Sequence, residues 1–324
     1  MTVLVTGVAG FIGFHVAGAL LTRGDRVVGV DRVDDYYDPA LKEGRLAQLR
    51  RAAGFTLVRG DIAEPATLLG AIAATPGVDR IVHLAAQAGV RHSIDNPRAY
   101  AWSNVVGHIE VLEAARRLPG LRRLVYASTS SVYGANEKRP FSVADRVDRP
   151  VSLYAATKRA DELMSHVYAD MHGVPQIGLR FFTVYGPWGR PDMAYYVFTR
   201  AIAEGRPIRL FRGGDLERDF TYIDDVVAAV LAALDRDLDL GRPPHRLYNI
   251  GNSRPERVTH LVALIERALG RKAAIEVVPM QPGDVPFTAA DITESTRDLG
   301  FVPTTPLEEG IPRFVAWFRE RYRA

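Results

Sequence analysis

Short apolar runs alternate with longer segments of helical periodicity through the first half of the chain. Val3–Thr6, Arg26–Asp31, Phe55–Arg59, Arg80–Leu84, Arg122–Ser128 and Gln176–Phe181 are runs of strand length bounded by turn residues. They are continuous rather than alternating, as parallel strands covered on both faces require. Between them, segments near 11–23, 41–52, 64–75, 98–117 and 153–172 carry a helical pattern. Strand–helix repetition of this kind predicts an α/β fold built on a doubly wound parallel sheet.

After about residue 181 the rhythm loosens, and prolines from Pro187 to Pro306 punctuate shorter elements. The pattern predicts a first domain over 1–180 and a second, smaller α/β substrate lobe over 181–324. The two interleave, because Phe220–Asp235 and Arg246–Gly251 read as one more helix and strand of the sheet, giving returning segments near 220–251. A ligand is then expected between the lobes, at the carboxyl ends of the strands.

Composition narrows the class. The 324 residues are 47% hydrophobic and 24% charged, ordinary for a soluble globular enzyme. With no cysteine, disulfides, thiolate metal sites and a cysteine nucleophile are excluded, and a reducing cytoplasm fits. The start of the chain runs straight into Thr2-Val3-Leu4-Val5, so no signal peptide is expected. No uncharged apolar run approaches the roughly 18–20 residues of a membrane span. The net charge is only +3, with arginines scattered and no basic run interleaved with aromatics, so nucleic acid is not an expected partner. None of the eight histidines shows a metal-ligand spacing, and no metal is expected.

Gly7-Val8-Ala9-Gly10-Phe11-Ile12-Gly13 directly follows the first strand and opens the first helix. The first glycine permits a tight turn, the second lets a diphosphate approach the backbone, and the third packs helix on strand. Free N–H groups and the helix dipole then favour the diphosphate. Asp31 ends the second strand, where a carboxylate accepts hydrogen bonds from a ribose diol and repels a 2′-phosphate, favouring NAD over NADP. Arg32 beside it is the one feature that softens this choice. Asp61-Ile62 and Leu84-Ala85-Ala86-Gln87 follow the third and fourth strands at the same sheet edge and are expected to line the rest of the cofactor. Asp61 reads equally well as a helix N-cap.

Tyr154 and Lys158 are four residues apart at the start of a helix, which puts both side chains on one face. A tyrosine hydroxyl, ordinarily near pKa 10, is a poor base at neutral pH, and a nearby ammonium favours its phenolate. Alone the spacing is common. It gains weight from the preceding Ser128-Thr129-Ser130-Ser131-Val132-Tyr133-Gly134, where a hydroxyl can reach the same reacting oxygen. Ser130 and Ser131 taken singly also suit a turn-capping role.

Glycine loop, hydroxyl strand end and Tyr/Lys pair, in this order, resemble the extended short-chain dehydrogenase/reductase superfamily, with its Rossmann-type sheet, over essentially the full chain. Further stretches narrow the resemblance: Ala85–Arg91, Ser93–Pro97, Arg180–Met193, Arg218–Asp225 and Gln281–Val285. They are similar to the UDP-glucuronate 4-epimerase family more than to UDP-galactose 4-epimerases, which usually carry asparagine in the stretch matching Thr183 and arginine in that matching Gln281.

The resemblance implies roles residue by residue. Tyr154 would be the acid/base, Lys158 would tune it and hold the nicotinamide ribose, and Thr129 would be the catalytic hydroxyl. Gly7, Gly10, Phe11, Ile12, Gly13, Asp31, Arg32, Asp61, Ile62 and Leu84–Gln87 would bind NAD. Ser130, Ser131, Thr183 and Arg190 would contact the sugar carboxylate, Arg218 and Gln281 would face the uridine diphosphate end, and Asp284 would also bind the substrate. Arg190 also reads as a surface residue of a Pro/Gly loop, but a planar fork matches a carboxylate. The implied reaction interconverts UDP-glucuronate and UDP-galacturonate: oxidation at C4 by bound NAD+, turnover of the 4-keto sugar, and hydride return to its other face.

A UDP-glucuronate decarboxylase and a UDP-galactose 4-epimerase are the alternatives. A 4,6-dehydratase is disfavoured, since that family resembles Thr-Asp-Glu where this chain has Thr129-Ser130-Ser131. A non-catalytic NAD-binding sensor on the same fold would be expected to lack the Tyr/Lys pair. Segments 98–117 and 153–172 carry apolar faces beyond what a sheet covers, and such helices pair across a dimer interface in the superfamily, so a homodimer is expected.

Overall fold

The computed structural model describes residues 1–280 and 285–323. The larger half runs β1 (Thr2–Thr6), α1 (Phe11–Thr22), β2 (Arg26–Asp31), α2 (Pro39–Leu49), β3 (Phe55–Arg59), α3 (Pro65–Ala73), β4 (Val78–His83), α4 (His92–Asp95), α5 (Pro97–Tyr100), a π-helical turn (Ala101–Val106), α6 (Gly107–Arg116), β5 (Arg123–Thr129), α7 (Leu153–His172) and β6 (Gln176–Phe181). There follow β7 (Thr183–Tyr185), α8 (Ala194–Ala203), β8 (Ile208–Phe211), β9 (Glu217–Tyr222), α9 (Ile223–Asp235), β10 (His245–Ile250), β11 (Pro255–Arg257), α10 (Val258–Leu269), β12 (Ile275–Val278), α11 (Thr293–Leu299) and α12 (Leu307–Tyr322).

Seven strands form one sheet in the order β10-β6-β5-β4-β1-β2-β3, every neighbour parallel. The side-chain period of two explains why a central strand such as β1 is buried on both faces. Val3 and Val5 join the core on one side of the sheet, packed with Val16 of α1 and Val230 of α9. Leu4 points the other way, into a core with Leu68 of α3 and Val111 of α6. Helices therefore cover both faces. The chain reverses direction across the sheet between β1 and β4, and the loops after those strands open a crevice there.

The remaining strands make two small sheets, β11-β9-β7 and β12-β8. Two expectations change in detail. Phe220–Tyr222 belong to strand β9, paired with Thr183–Tyr185 of β7, rather than to the helix. That helix starts at Ile223, where Asp224 and Asp225 sit at the positive end of its dipole. The segment expected as one helix over 98–117 is broken by the π-helical turn, whose cause lies in the site below. β10 returns to pair with β6, from His245↔Gln176 to Ile250↔Phe181. No helix among the described residues is long and apolar enough to cross a membrane.

Candidate active site

The crevice begins at the turn between β1 and α1. Gly7 has φ +72° and donates its N–H to Val30 O at 2.8 Å, and a Cβ on it would lie 2.6 Å from Ala85 N. A Cβ on Gly13 would lie 2.1 Å from Gly7 O. Any side chain at either position forces helix and strand apart. Gly10 caps α1 without a side chain, leaving the first-turn N–H groups for a ligand. A dinucleotide diphosphate fits this cradle of bare backbone at the helix N-terminus.

Asp31 closes the adjoining turn. Its Oδ2 accepts from Ala9 N at 2.9 Å and its Oδ1 from Val33 N at 2.7 Å. Burial raises its pKa above the ordinary value, and the two backbone donors only partly offset this. Arg32 is held between acids: its Nε donates to Asp34 at 2.7 Å, and its Nη1 to Asp61 at 3.1 Å. A guanidinium already neutralised by two carboxylates is a poor receptor for a 2′-phosphate. Asp61 serves in both of the ways its position allows, its Oδ1 accepting Ala63 N at 3.0 Å while Oδ2 meets Arg32.

Gly7, Gly10, Phe11, Ile12, Gly13, Asp31, Arg32, Asp61, Ile62 and Leu84–Gln87 all line one cleft, together with Thr129, Tyr154, Lys158 and Arg190. The start of α7 is fixed by Ser152, whose Oγ accepts Ala155 N at 3.1 Å. Tyr154 and Lys158 follow in the first two turns. The Tyr154 ring meets Tyr100 edge-on at 6.1 Å between centroids. Lys158 is buried, with Nζ donating to Asp161 Oδ2 at 2.6 Å. Thr129 Oγ1 accepts Ser131 N and donates to Ser131 Oγ, both at 3.2 Å. To reach a substrate oxygen its proton must turn away from Ser131.

Ser130, Ser131, Thr183 and Arg218 line an adjoining cavity, separate from Arg190. Arg190 sits in the main cleft instead, its Nε 3.1 Å from Asp192 Oδ1 and its Nη2 2.5 Å from Oδ2. Burial opposes its charge, yet Asp192, with Tyr36 and Tyr154 behind it, holds its pKa above the ordinary guanidinium value. Gln281 and Asp284 lie outside the described residues.

Some of the site had no signature in the sequence. Asn104 lies in the π-helical turn, where its Oδ1 accepts Gln87 N at 2.7 Å and its Nδ2 donates to Gln87 O at 3.0 Å. The same Nδ2 reaches Thr157 Oγ1 at 3.0 Å, and Thr157 donates to Tyr154 O at 2.9 Å. The turn thus swings one amide between the loop after β4 and the tyrosine helix, as π-bulges at functional sites do. Tyr36, Tyr37, Ser103 and Met193 also line the cleft. Only the paired aromatics of Asp35-Tyr36-Tyr37, in a loop at the sheet edge, hinted at a role.

Elsewhere the imidazole of His260 lies between Glu256, 2.9 Å from Nδ1, and Glu308, 3.4 Å from Nε2. The three are close enough to offer ligands to one ion, an arrangement the sequence spacing did not suggest. Both ring nitrogens face carboxylates at the surface.

With this geometry in place, similarity to known proteins decides the family. Residues 3–251 match the NAD dependent epimerase/dehydratase family. The chain belongs to that family. It is 47% identical to UDP-glucuronate 4-epimerase 1 of Arabidopsis thaliana, over 99% of this chain and 77% of the plant protein. It is 44% identical to Protein CapI of Staphylococcus aureus over the full length of both. Its fold matches the crystal structure of UDP-glucuronic acid 4-epimerase from Bacillus cereus, in complex with UDP-glucuronic acid and NAD. The TM-score is 0.89 at 33% identity, covering 99% of this chain and 100% of that one. In this family member the Tyr154/Lys158 helix and the glycine cradle open onto one cleft.

Proposed function

We propose that this chain is an NAD-dependent UDP-glucuronate 4-epimerase, interconverting UDP-glucuronate and UDP-galacturonate. The observation that carries the reading is the meeting of Tyr154, Lys158 and Arg190 in the cleft that also holds Gly7, Gly13 and Asp31. The Arabidopsis relative and the Bacillus cereus structure, with UDP-glucuronic acid and NAD bound, support the same substrate and cofactor.

The roles follow from position. The α1 N-terminus takes the diphosphate of NAD and Asp31 its adenosine ribose. Bound NAD+ accepts a hydride from C4 of the sugar and returns it to the opposite face. Tyr154 takes the proton of the 4-hydroxyl and later gives it back, and Lys158 supports it and the nicotinamide ribose. Thr129, Ser130, Ser131 and Thr183 supply hydroxyls along the sugar, and Arg218, Gln281 and Asp284 serve the uridine diphosphate end. On this reading segment 181–324 is the substrate lobe and 1–180 the NAD-binding domain.

A 4-keto uronate is a β-keto acid and loses carbon dioxide if the breaking C–C bond overlaps the carbonyl π system. Arg190, in the same cleft as Tyr154, holds the carboxylate charged and out of that alignment, which separates an epimerase from a decarboxylase.

A proton NMR time course of UDP-glucuronate with purified protein tests the whole reading. Conversion to UDP-galacturonate is expected; UDP-pentose as sole product, or no turnover with NAD+ added, removes it. Tyr154→Phe is expected to lower kcat by about 10²–10⁴.

The protein acts as a homodimer through α7. Leu163, Val167 and Met171, four residues apart on one face, are 52%, 47% and 69% exposed, with Trp102 of the π-helical turn at 45%. Val111, Leu112, Ala114 and Ala115 of α6, by contrast, are buried, and that helix packs against α3 and α7. A monomer mass by light scattering at micromolar concentration would refute the dimer. A cysteine-free chain with a UDP-sugar substrate suits the cytoplasm.

A further inference from the structure

We infer that Asp161 is a positioning residue for Lys158. Its carboxylate takes one of the three ammonium protons and anchors Nζ at the floor of the cleft, so that the other two serve the cofactor ribose and Tyr154. The inference rests on the epimerase reading above.

The pair is built into α7. Lys158 and Asp161 are three residues apart, their side chains are 2% and 0% exposed, and Nζ meets Oδ2 at 2.6 Å. Asp161 Oδ1 is buried without a hydrogen-bond partner among the described residues. A carboxylate kept in the core with one oxygen idle is costly, and such a group calls for a use. Packing alone does not supply one. Charge does: Lys158 lines the cleft, and among the described residues Asp161 is the carboxylate that its Nζ meets.

The surroundings bear this out group by group. Glu162, the next residue, is taken by Arg180 and Arg159. His83 on β4 is kept neutral by burial, its pKa lowered to about 3, with Lys158 adding to the effect. His108 on α6 is also held well below its ordinary value by burial, with His83 and Lys158 adding to it. Tyr126 on β5 is held protonated by burial and by Glu162 and Asp161. Asp161 is thus the counter-ion of Lys158, and a single bond to it fixes the rotation of the ammonium. An ammonium has three donors and no preferred direction of its own, so this anchor supplies the direction.

Burial lifts the Asp161 carboxyl to about 6 even with Lys158 beside it. As pH falls below that value Asp161 takes a proton, the anchor weakens, and the lysine loses its direction. An asparagine at 161 mimics this protonated state at every pH.

The test is calorimetric titration of NAD+ into the protein after exchange of resident cofactor, from neutral pH down past about 6. Wild type, Asp161→Asn and Asp161→Glu are compared, with folding checked by circular dichroism. At neutral pH Asp161→Asn is expected to bind NAD+ about tenfold more weakly, the equivalent of one charge-assisted hydrogen bond. The two affinities converge in acid, and Asp161→Glu stays near wild type. Taking the ratio cancels any titration of Asp31, which both proteins share. In turnover, kcat falls in Asp161→Asn while KM for the sugar nucleotide holds. Superimposed affinity curves, or a ratio independent of pH, overturn the inference, the latter assigning Asp161 to packing alone. Should Asp161→Asn not accumulate folded, Asp161→Ser gives the same comparison. A wild type that binds NAD+ yet leaves UDP-glucuronate unchanged removes the epimerase reading, while the affinity ratio still decides Asp161.

Discussion

Arg180 on β6 and Glu162 on α7 form a two-point ion pair, Nε to Oε1 at 2.8 Å and Nη2 to Oε2 at 2.9 Å. Each side chain is 1% exposed. Ser128 donates to the same Oε1 at 2.6 Å, and Arg180 Nη1 to Tyr133 Oη at 3.0 Å. Tyr133 passes the chain on to Asn249 Oδ1 at 2.6 Å. The helix carrying Tyr154 and Lys158 is thereby tied to the carboxyl ends of β5, β6 and β10, which hold the cleft floor. Burial opposes the Glu162 charge, but Arg180 and its other partners win and hold its pKa below the ordinary value.

Breaking one side of this pair leaves a buried charge alone. Glu162→Leu is expected to cost about 3–5 kcal/mol by urea denaturation. Arg180→Met added to it is expected to restore part of that loss. A double variant as unstable as the two single losses added together would show that the two charges are not coupled.

The parallel sheet and the cofactor turn were legible because their causes are local. Continuous apolar runs mark strands buried on both faces, and three glycines between a strand and a helix have few other uses. What stayed hidden depends on side chains meeting across the chain. Asn104 looks like any polar residue of a helix until its amide is seen on Gln87, and the π-helical turn it accompanies has no periodicity signal. Asp161 reads as the exposed face of an amphipathic helix, since nothing in the local pattern says that Lys158 is buried. Phe220–Tyr222 were expected as helix because β7, their partner, is only three residues long and is separated from β9 by more than thirty.

Cofactor choice has a specific test. Asp31 is commonly the residue exchanged to admit a 2′-phosphate, but here it also accepts Ala9 N and Val33 N. Asp34 and Asp61 stand beside it on Arg32. Asp31→Ser is therefore expected to weaken NAD+ by about tenfold or more without creating tight NADP+ binding. Calorimetric titration of both nucleotides reads this directly. NADP+ binding as tight as wild-type NAD+ would mean that Asp31 alone enforces the preference.

On the proposed reading, Arg190 connects substrate recognition to product identity through the sugar carboxylate. Asp192 occupies its Nε–Nη2 edge, and Nη1 makes no hydrogen bond among the described residues, leaving that side for the sugar carboxylate. Arg190→Ala is expected to raise KM for UDP-glucuronate about tenfold to a hundredfold and to release UDP-pentose. NMR of the product mixture separates the two effects. Persisting C4 inversion with no extra pentose would leave the restraint on decarboxylation without support.

Acid stability follows from four histidines that the fold keeps neutral, His108 among them with its pKa held well below the ordinary value by burial. Burial lowers His83 to about 3, His15 to about 4 and His245 to about 4. Each titrates near 6.5 once unfolded, so between that value and 4 the unfolded chain binds the extra protons. The stability they contribute is whole above about 6.5 and drains away as pH falls. Asp161 runs the other way: raised to about 6, it lets the folded state bind a proton first and so gains stability on acidification below 6. Asp31 and Asp219, also raised by burial, act in the same direction as Asp161, and His108 adds to the other three histidines. At about pH 5 each histidine costs about 2 kcal/mol, against a gain of about 1.4 kcal/mol from Asp161. Thermal unfolding is expected to weaken steeply from neutral pH to about 5. His245→Gln is expected to remove about 2 kcal/mol of that loss. A variant with the wild-type slope would show that His245 takes its proton in the folded state, despite the Tyr126 hydroxyl 2.8 Å from its Nε2.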